Sequence, residues 1–187
     1  MIITEFKISD DNTELELTIT DAASVISLRL WKDDTYKDFS KSIDLSGKLT
    51  ASTTENITIT LSDLNESYFN GVYFIEAEDN DELSLEYVYE LLSYKECILN
   101  KINAYDTVDC LIEKDKSLLN AQSILLGLED ALEYRYINEI LSYTKTLGKF
   151  CSEECRECDN KTPIENNNNK DLLNPDGIIV KVNGGNR

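Results

Sequence analysis

The stretch Gly71–Ala77, GVYFIEA, decides the fold of the first half of this 187-residue chain. Four apolar or aromatic residues in a row, Val72 to Ile75, follow the glycine, so an extended strand here has no polar face. A strand of this kind is typical of the centre of a sheet. We therefore predict that residues 71–77 form a central strand and that half-buried strands lie on either side of it.

Shorter runs elsewhere in the first ninety residues alternate apolar and polar side chains, which indicates strands with one buried face. Their apolar members are Leu15, Leu17 and Ile19; Ile26, Leu28 and Leu30; and Ile57, Ile59 and Leu61. Turn-forming segments such as DDNT and DLSGK separate the runs. Six or seven short strands at this spacing predict an antiparallel β-sandwich over residues 1–88.

Gly71 and Tyr73 form a G-x-Y pair at the start of a late strand. The pair resembles the tyrosine corner of immunoglobulin-like and fibronectin-like sandwiches, in which the tyrosine hydroxyl hydrogen-bonds back to the backbone. The resemblance implies an immunoglobulin-like sandwich and the same role for the Tyr73 hydroxyl.

After about Ser84 the apolar period changes to three or four residues, over segments 86–102, 116–134 and 135–151. The residues expected on the buried faces are Leu91, Tyr94 or Lys95, Ile98 and Ile102; Leu118, Leu125, Leu128 and Leu132; and Ile137, Ile140, Leu141, Thr144, Leu147 and Cys151. Gly127 lowers the helix propensity of the second segment. The pattern predicts a three-helix bundle over residues 89–158 and places the chain in the α+β class.

Residues 159–187 form an Asn-rich tail that contains both prolines, Pro163 and Pro175. This composition is typical of disordered segments. The tail ends in a short strand-like run, GIIVKV, whose apolar residues are Ile178, Ile179, Val180 and Val182. A single strand cannot satisfy its own backbone hydrogen bonds, so we predict that this run docks on another chain by adding a strand to an exposed sheet edge.

Three of the five cysteines, Cys151, Cys155 and Cys158, lie in the segment KFCSEECREC, residues 149–158. They continue the apolar stripe of the third helix in steps of three and four, which favours buried, free thiols. One alternative is a zinc site made of Cys110, Cys151, Cys155 and Cys158, although the chain has a single C-x2-C pair and no histidine. The other alternative is a disulfide or redox role. We expect no cofactor.

The net charge is −18, from 36 acidic and 18 basic residues, and an acidic surface of this strength repels phosphate backbones. We therefore expect no direct binding of nucleic acid. The N-terminus lacks the features of a signal peptide, and no run of about 18 apolar residues predicts a membrane span. The expected compartment is a reducing cytoplasm, where free thiols are the default.

Signatures of enzymes are missing from the sequence. Without histidine, the usual general base and the Ser-His and Cys-His arrangements cannot form. The neighbouring carboxylates Asp10–Asp11 and Asp33–Asp34 lie in turn-like polar stretches, where solvated loop charge is the expected role. We predict that the chain is not an enzyme.

Taken together, an acidic sandwich, a helical bundle with a C-x3-C-x2-C cluster and an Asn-rich tail resemble virion proteins of crAss-like phages of Bacteroidetes, in particular their connector and tail-ring proteins. The stretches that carry the resemblance are NITITLSDLNESYFNGVYFIEAED (56–79), LEDALEYRYINEILSYTKTL (128–147) and CSEECREC (151–158). The resemblance covers residues 1–158 in outline. It implies a homo-oligomeric ring at the portal or tail, assembled in the host bacterial cytoplasm, with other virion proteins as partners and no membrane contact.

The alternative function is a binding module for carbohydrate or a host surface, or an acidic inhibitor that mimics the charge of a nucleic acid. Sandwich lectins offer exposed aromatic side chains, and Trp31, Tyr36 and Phe39 near one loop are the candidates. Packing in the core or against the loop is the expected role of these three rings.

Overall fold

A computed structural model describes residues 2–50, 52–103 and 116–152 of the chain. The chain divides into two compact units, Met1–Leu91 and Leu92–Arg187. Two antiparallel sheets form the first unit, and the described part of the second unit is helical. The chain is therefore an α+β protein with a sheet-rich N-terminal part.

The described part of the first unit contains seven strands: β1 (Ile3–Ile8), β2 (Glu14–Thr20), β3 (Ser27–Lys32), β4 (Ile43–Asp44), β5 (Thr54–Thr60), β6 (Gly71–Glu78) and β7 (Leu83–Glu90). One sheet has the order β1-β2-β5, and the other has the order β4-β3-β6-β7. Every strand pair is antiparallel.

Inward-facing side chains of both sheets form a single hydrophobic core. The predicted alternation is confirmed for β2, β3 and β5, since the following residues are at most 5% exposed: Leu15, Leu17, Ile19, Leu28, Leu30, Ile57 and Ile59. Ile26 was expected to share the buried face of Leu28, but it is 59% exposed, and this prediction is wrong. The strand begins at Ser27, after the short 3₁₀ turn Ala22–Ser24 that leads the chain from β2 into the second sheet.

Strand β6 lies between β3 and β7, and its first seven residues are all buried. Tyr73, Ile75 and Ala77 belong to the core between the sheets, while Val72, Phe74 and Glu76 alternate with them toward the opposite face. The prediction of a central strand at residues 71–77 is confirmed.

Strand β7 corrects the sequence-based boundary. Helical spacing was assigned from Glu86, but residues 83–90 form an eight-residue strand, and the first helix begins at Leu92. In the pairing of β7 with β6, Tyr87 lies opposite Phe74 and Tyr89 lies opposite Val72. Cross-strand aromatic and β-branched pairs stabilise a strand here, and they outweigh the local helical spacing.

The described part of the second unit contains three helices: α1 (Leu92–Asn103), α2 (Lys116–Glu133) and α3 (Ile137–Ser152). The buried faces match the predicted spacing, with Tyr94, Ile98 and Ile102 on α1; Leu125, Leu128 and Leu132 on α2; and Ile140, Thr144 and Leu147 on α3. Ile137, Leu141 and Cys151 are half-buried. The side chain of Leu118 lies outside the described residues.

Gly127 has a packing role that the sequence did not indicate. A Cβ atom at this position would lie 3.0 Å from the Tyr143 ring of α3. The glycine therefore allows close approach of α2 and α3, which offsets part of its low helix propensity.

Arg135 ends α2 in the left-handed conformation, with φ 58°. The N–H of Tyr136 donates to Ala131 C=O at 2.9 Å, and the N–H of Arg135 donates to Leu132 C=O at 3.3 Å. These two bonds form a Schellman motif, which explains the short connection to α3. Within the described ranges, none of the helices has the length and apolar character required to cross a bilayer.

Candidate functional site

The Tyr73 side chain forms the corner that the G-x-Y pair predicted. Its hydroxyl oxygen accepts the backbone N–H of Asn70 at 3.1 Å, and the hydroxyl donates to Glu66 Oε2 at 2.6 Å. Tyr73 is fully buried. The bond back to the backbone three residues upstream holds the Glu66–Asn70 segment against the start of β6.

Lys32 of β3 completes this corner. Its ammonium lies 2.5 Å from Glu66 Oε1 and 5.4 Å from the centre of the Tyr73 ring. Burial, followed by the hydrogen bond to the Glu66 carboxylate, raises the pKa of Tyr73 above its ordinary value. A tyrosine phenol is protonated at neutral pH even at its ordinary pKa, so this hydroxyl donates to Glu66 there.

A second polar contact fixes the first residues of β6. Asp33 Oδ1 accepts the backbone N–H of Val72 at 2.8 Å. Gly71 has φ 92°, and a Cβ atom at this position would lie 2.5 Å from the same carboxylate oxygen. The glycine is required both by its backbone angle and by the close approach of Asp33.

The opposite face of β6 carries an aromatic cluster, defined as Trp31, Tyr36, Phe39, Phe74 and Tyr87. On neighbouring strands, Phe74 of β6 lies opposite Trp31 of β3 on one side and opposite Tyr87 of β7 on the other. The Tyr36 ring stacks on Phe74 at 4.9 Å, and Phe39 meets Trp31 edge-on at 5.8 Å. The loop between β3 and β4 is therefore packed onto the sheet by its own rings.

Glu76 lies beside this aromatic cluster and, among the described residues, is the one charged residue that is buried. Its Oε2 accepts the Tyr36 hydroxyl at 2.9 Å and forms an ion pair with Lys37 Nζ. The Lys37 ammonium also lies 5.1 Å from the Tyr36 ring centre. Burial, followed by the bond to Glu76, raises the pKa of Tyr36 above its ordinary value.

These contacts give three acidic groups of the first unit a structural role. Three carboxylates, those of Asp33, Glu66 and Glu76, each join a loop to β3 or β6. Each is bound by a lysine ammonium, a tyrosine hydroxyl or a backbone N–H. Such matching offsets the cost of removing a carboxylate from water.

The three aromatic candidates for a binding surface differ in exposure. Trp31 is 1% exposed, and its indole N–H donates to Asp38 C=O at 3.0 Å. Tyr36 is half-buried against Phe74, whereas Phe39 is 63% exposed. The packing interpretation is confirmed for Trp31 and Tyr36, and Phe39 alone presents a broad accessible ring.

Cys97 of α1 and Cys151 of α3 form a disulfide, with Cα atoms 6.0 Å apart. The expectation of free thiols is wrong for this pair. The apolar stripe on α3 was identified correctly, but a pattern within one helix does not show which residue of another helix it meets. Packing of α1 against α3 brings the two half-buried cysteines together.

Cys151, one of the four candidate zinc ligands, is held in this disulfide, and a cysteine in a disulfide has no thiolate to offer a metal. The other three candidate ligands, Cys110, Cys155 and Cys158, lie outside the described residues. Over the ranges that the structure describes, no group of three or more His, Cys, Asp or Glu residues is placed to hold a metal ion. The predicted interaction residues Ile178, Ile179, Val180 and Val182 likewise lie outside these ranges.

The side-chain partners of Tyr73 and Glu76 could not be identified from the sequence, although one signal was present for Glu76. Glu76 is a charged residue inside a run predicted to be buried on both faces. A charge in that position requires a partner. The identity of the partners, Lys37 and Tyr36, depends on a loop fold that no local pattern predicts.

Neither a protein-family model nor a curated protein sequence matches this chain.

Proposed function

We propose that this chain is a structural subunit that acts through contacts with other subunits. The observation that carries the proposal is the use of its enclosed carboxylates. Glu66 and Glu76, with side chains 20% and 8% exposed, are bound by Lys32, Lys37 and tyrosine hydroxyls that hold loops to the sheet. The polar chemistry of the first unit is used to make a rigid body.

The first unit is, in this proposal, an immunoglobulin-like sandwich. Sheets of order β1-β2-β5 and β4-β3-β6-β7 share one core, as the two sheets of such a sandwich do. The Tyr73 hydroxyl bonds to the backbone at the start of the sixth strand, where a tyrosine corner is expected. Both observations support the assignment.

The particular assembly proposed is a phage virion, in which copies of the chain form a ring or connector at the portal or tail. The support is the resemblance in layout to virion proteins of crAss-like phages. A sheet unit followed by a helical unit agrees with that layout. Other virion proteins would be its further partners, and the host bacterial cytoplasm would be its site of assembly.

The C-terminal tail supplies the proposed contact between subunits. Residues Ile178, Ile179, Val180 and Val182 would bind a neighbouring copy rather than their own sheet unit. Ser152, the last described residue, and Gly177 are 25 residues apart, well beyond the few residues of an ordinary connection.

Removal of residues 160–187 tests this proposal. The full chain at micromolar concentration is expected to form oligomers, measured by mass photometry or light scattering. The truncated chain is expected to keep almost the same melting temperature and to lose most of its assembly. A full chain that is monomeric would contradict the proposed role, as would a truncated chain that melts much lower and still assembles.

A further inference from the structure

Strand β5 is the outer strand of the β1-β2-β5 sheet, and its backbone has a defined free side. In β2, Glu14 and Thr20 bond toward the β1 side, through Ser9 and Ile2. The backbone groups of the alternate residues of β2 therefore bond to β5, and the bonded pairs are Leu15 with Ile59, Leu17 with Ile57 and Ile19 with Glu55. It follows that Thr54, Asn56 and Thr58 direct their N–H and C=O groups away from the sheet.

Part of this free side is occupied by side chains. Lys48 Nζ donates to Thr58 C=O at 3.1 Å, and Ser52 Oγ donates to Thr54 C=O at 2.8 Å. Asp63 accepts the N–H of Thr60 at 2.9 Å. Among the described residues, the N–H and C=O of Asn56 and the N–H of Thr58 have no partner.

The other sheet edges are less available. Strand β4 has two residues, and the N–H of Ile3 on β1 donates to Ser84 Oγ at 3.2 Å. Leu85 and Tyr87 on β7 are engaged in other contacts. Strand β5, with seven residues, therefore combines a free side with open backbone groups at its middle, those of Asn56 and the N–H of Thr58.

We propose that this edge receives the segment Gly177–Val182 of a second copy as an added strand. This inference rests on the proposed function and names its binding site. An added strand would satisfy the open groups of Asn56 and Thr58 and would displace the Lys48 ammonium from Thr58 C=O, leaving it beside Asp63, whose Oδ2 lies 3.3 Å away.

The pattern of the segment fits this edge. Ile178, Val180 and Val182 alternate with Ile179 and Lys181, so one face of the added strand is apolar and continues the core side of β5. In an antiparallel addition the residue opposite Asn56 points its side chain to the outer face, as Asn56 does. That residue is therefore Ile179 or Lys181.

Charge also favours the pairing. Residues 177–187 contain Lys181 and Arg187 and no acidic residue, whereas residues 1–93 have 20 acidic and 6 basic side chains, a net charge of −14. On the outer face of the sheet, Glu14 and Glu16 lie on β2, one strand beyond β5, so Lys181 would join a sheet surface of negative charge.

Photo-crosslinking in the full chain tests the contact. Benzoylphenylalanine replaces Thr58 on β5, or Glu5 on the far edge of the same sheet as the control, and unlabelled protein is mixed with nitrogen-15-labelled protein. The Thr58 variant is expected to crosslink to the tryptic peptide 171–181, with mixed isotope labels. Crosslinks that are absent, or that join only peptides with the same label, would overturn the inference.

Substitution at Asn56 provides an independent measurement. Asn56→Pro removes the outward backbone N–H and leaves the backbone bonds to β2 in place, whereas Asn56→Ala keeps the outward N–H. Asn56→Pro is expected to weaken self-association by roughly ten-fold, and Asn56→Ala to leave it near wild type. If Asn56→Pro does not fold, Lys48→Ala replaces it. This variant opens Thr58 C=O and is expected to tighten self-association.

The outcomes separate the two proposals. If loss of residues 160–187 abolishes assembly while Asn56→Pro, or Lys48→Ala in its place, assembles as wild type does, the β5 site is wrong and the proposed function stands. If loss of the tail has no effect on assembly, both proposals for the tail fail.

Discussion

At the residue scale, the start of β6 concentrates contacts that tolerate little change. Gly71 admits the Asp33 carboxylate, and Tyr73 bonds to both Asn70 and Glu66. Each contact joins residues that are distant in sequence or belong to a loop. Because a buried group that loses its partner carries the full desolvation cost, single substitutions here are expected to lower stability measurably.

Tyr73→Phe removes one hydroxyl and two hydrogen bonds. The backbone N–H of Asn70 loses its acceptor and Glu66 loses a donor, so the free energy of unfolding should fall by about 1–3 kcal/mol. Urea denaturation measures the change. Tyr68→Phe is the matched control, since Tyr68 is 61% exposed, and it should leave the midpoint nearly unchanged. Equal effects of both changes would contradict the role assigned to the corner.

Gly71→Ala and Gly148→Ala should change stability in opposite directions. At Gly71 the left-handed backbone and the Asp33 oxygen at 2.5 Å oppose a methyl group, and a loss of about 1–3 kcal/mol is expected. Gly148 lies in α3 with no atom within 4 Å of a Cβ, so alanine should add about 0.5–1 kcal/mol. Thermal unfolding of both variants checks the sign, and a neutral Gly71→Ala variant would refute the strain argument.

At the element scale, three contacts besides apolar packing join α1 to the other two helices. Lys95 pairs with Glu129 of α2 at 2.8 Å, and Lys101 lies 5.0 Å from the Phe150 ring centre of α3. The disulfide adds a covalent link between residues 54 positions apart. Of these contacts, the disulfide depends on redox conditions, so the attachment of α1 is the part of the second unit that a reductant should weaken.

Reduction is therefore expected to destabilise the helical unit. Loop-closure entropy for a loop of this length is worth about 4 kcal/mol at most, and less if the reduced chain retains structure. A reductant should lower the melting temperature of the wild type, and the Cys97→Ser/Cys151→Ser variant should melt low with or without reductant. Cys110→Ser should keep the wild-type response. Peptide mapping that recovers Cys97 and Cys151 only as free thiols after oxidation would contradict this pairing.

The sequence predicted elements more reliably than it predicted their partners. Alternation at Leu15, Leu17 and Ile19 correctly identified β2, because one buried face leaves a period of two in the sequence. The same method failed at Glu86–Glu90, where pairing with β6 determines the structure. It also left Cys97 without a partner, since disulfide pairing depends on helix packing and no local pattern reports it. The Tyr73 corner was predicted, but its contacts with Glu66 and Lys32 were not.

At the scale of the whole molecule, a net charge of −18 acts in two ways. Repulsion among carboxylates opposes both the approach of two copies at low salt and the compact state of each copy. Several of the same carboxylates nevertheless stabilise turns: Asp79 accepts the N–H groups of both Asp81 and Glu82 at 2.7 Å. Acidification should relieve the repulsion first and then remove the turn contacts.

The pH dependence follows from the turn aspartates. Backbone bonds from Asp81 and Glu82 hold the pKa of Asp79 below its ordinary value near 3.8, and bonds at other turns act likewise on Asp11, Asp38, Asp44 and Asp63. A lowered folded-state pKa adds stability above the unfolded value, and this stability is lost as the pH falls through the folded value. The melting temperature should therefore fall below about pH 4.

Asp79→Asn tests this assignment, because an amide does not titrate. The acid loss of stability should be shallower in Asp79→Asn than in the wild type. Asp81→Asn is the control on the same turn, since it keeps the backbone N–H that Asp79 accepts. The melting temperature of both variants is measured between neutral and strongly acidic pH. An equal fall of melting temperature with pH in Asp79→Asn and Asp81→Asn would contradict the role assigned to Asp79.

The burial of Trp31 has an optical consequence. It is the single tryptophan of the chain and lies in the first unit, enclosed by aromatic rings with its N–H bonded to a carbonyl oxygen. Its fluorescence should be blue-shifted in the native state and should report the unfolding of the sheet unit alone. Far-ultraviolet circular dichroism, dominated by the helices, reports the second unit. Following both signals through one denaturation would therefore separate the stabilities of the two units without cutting the chain.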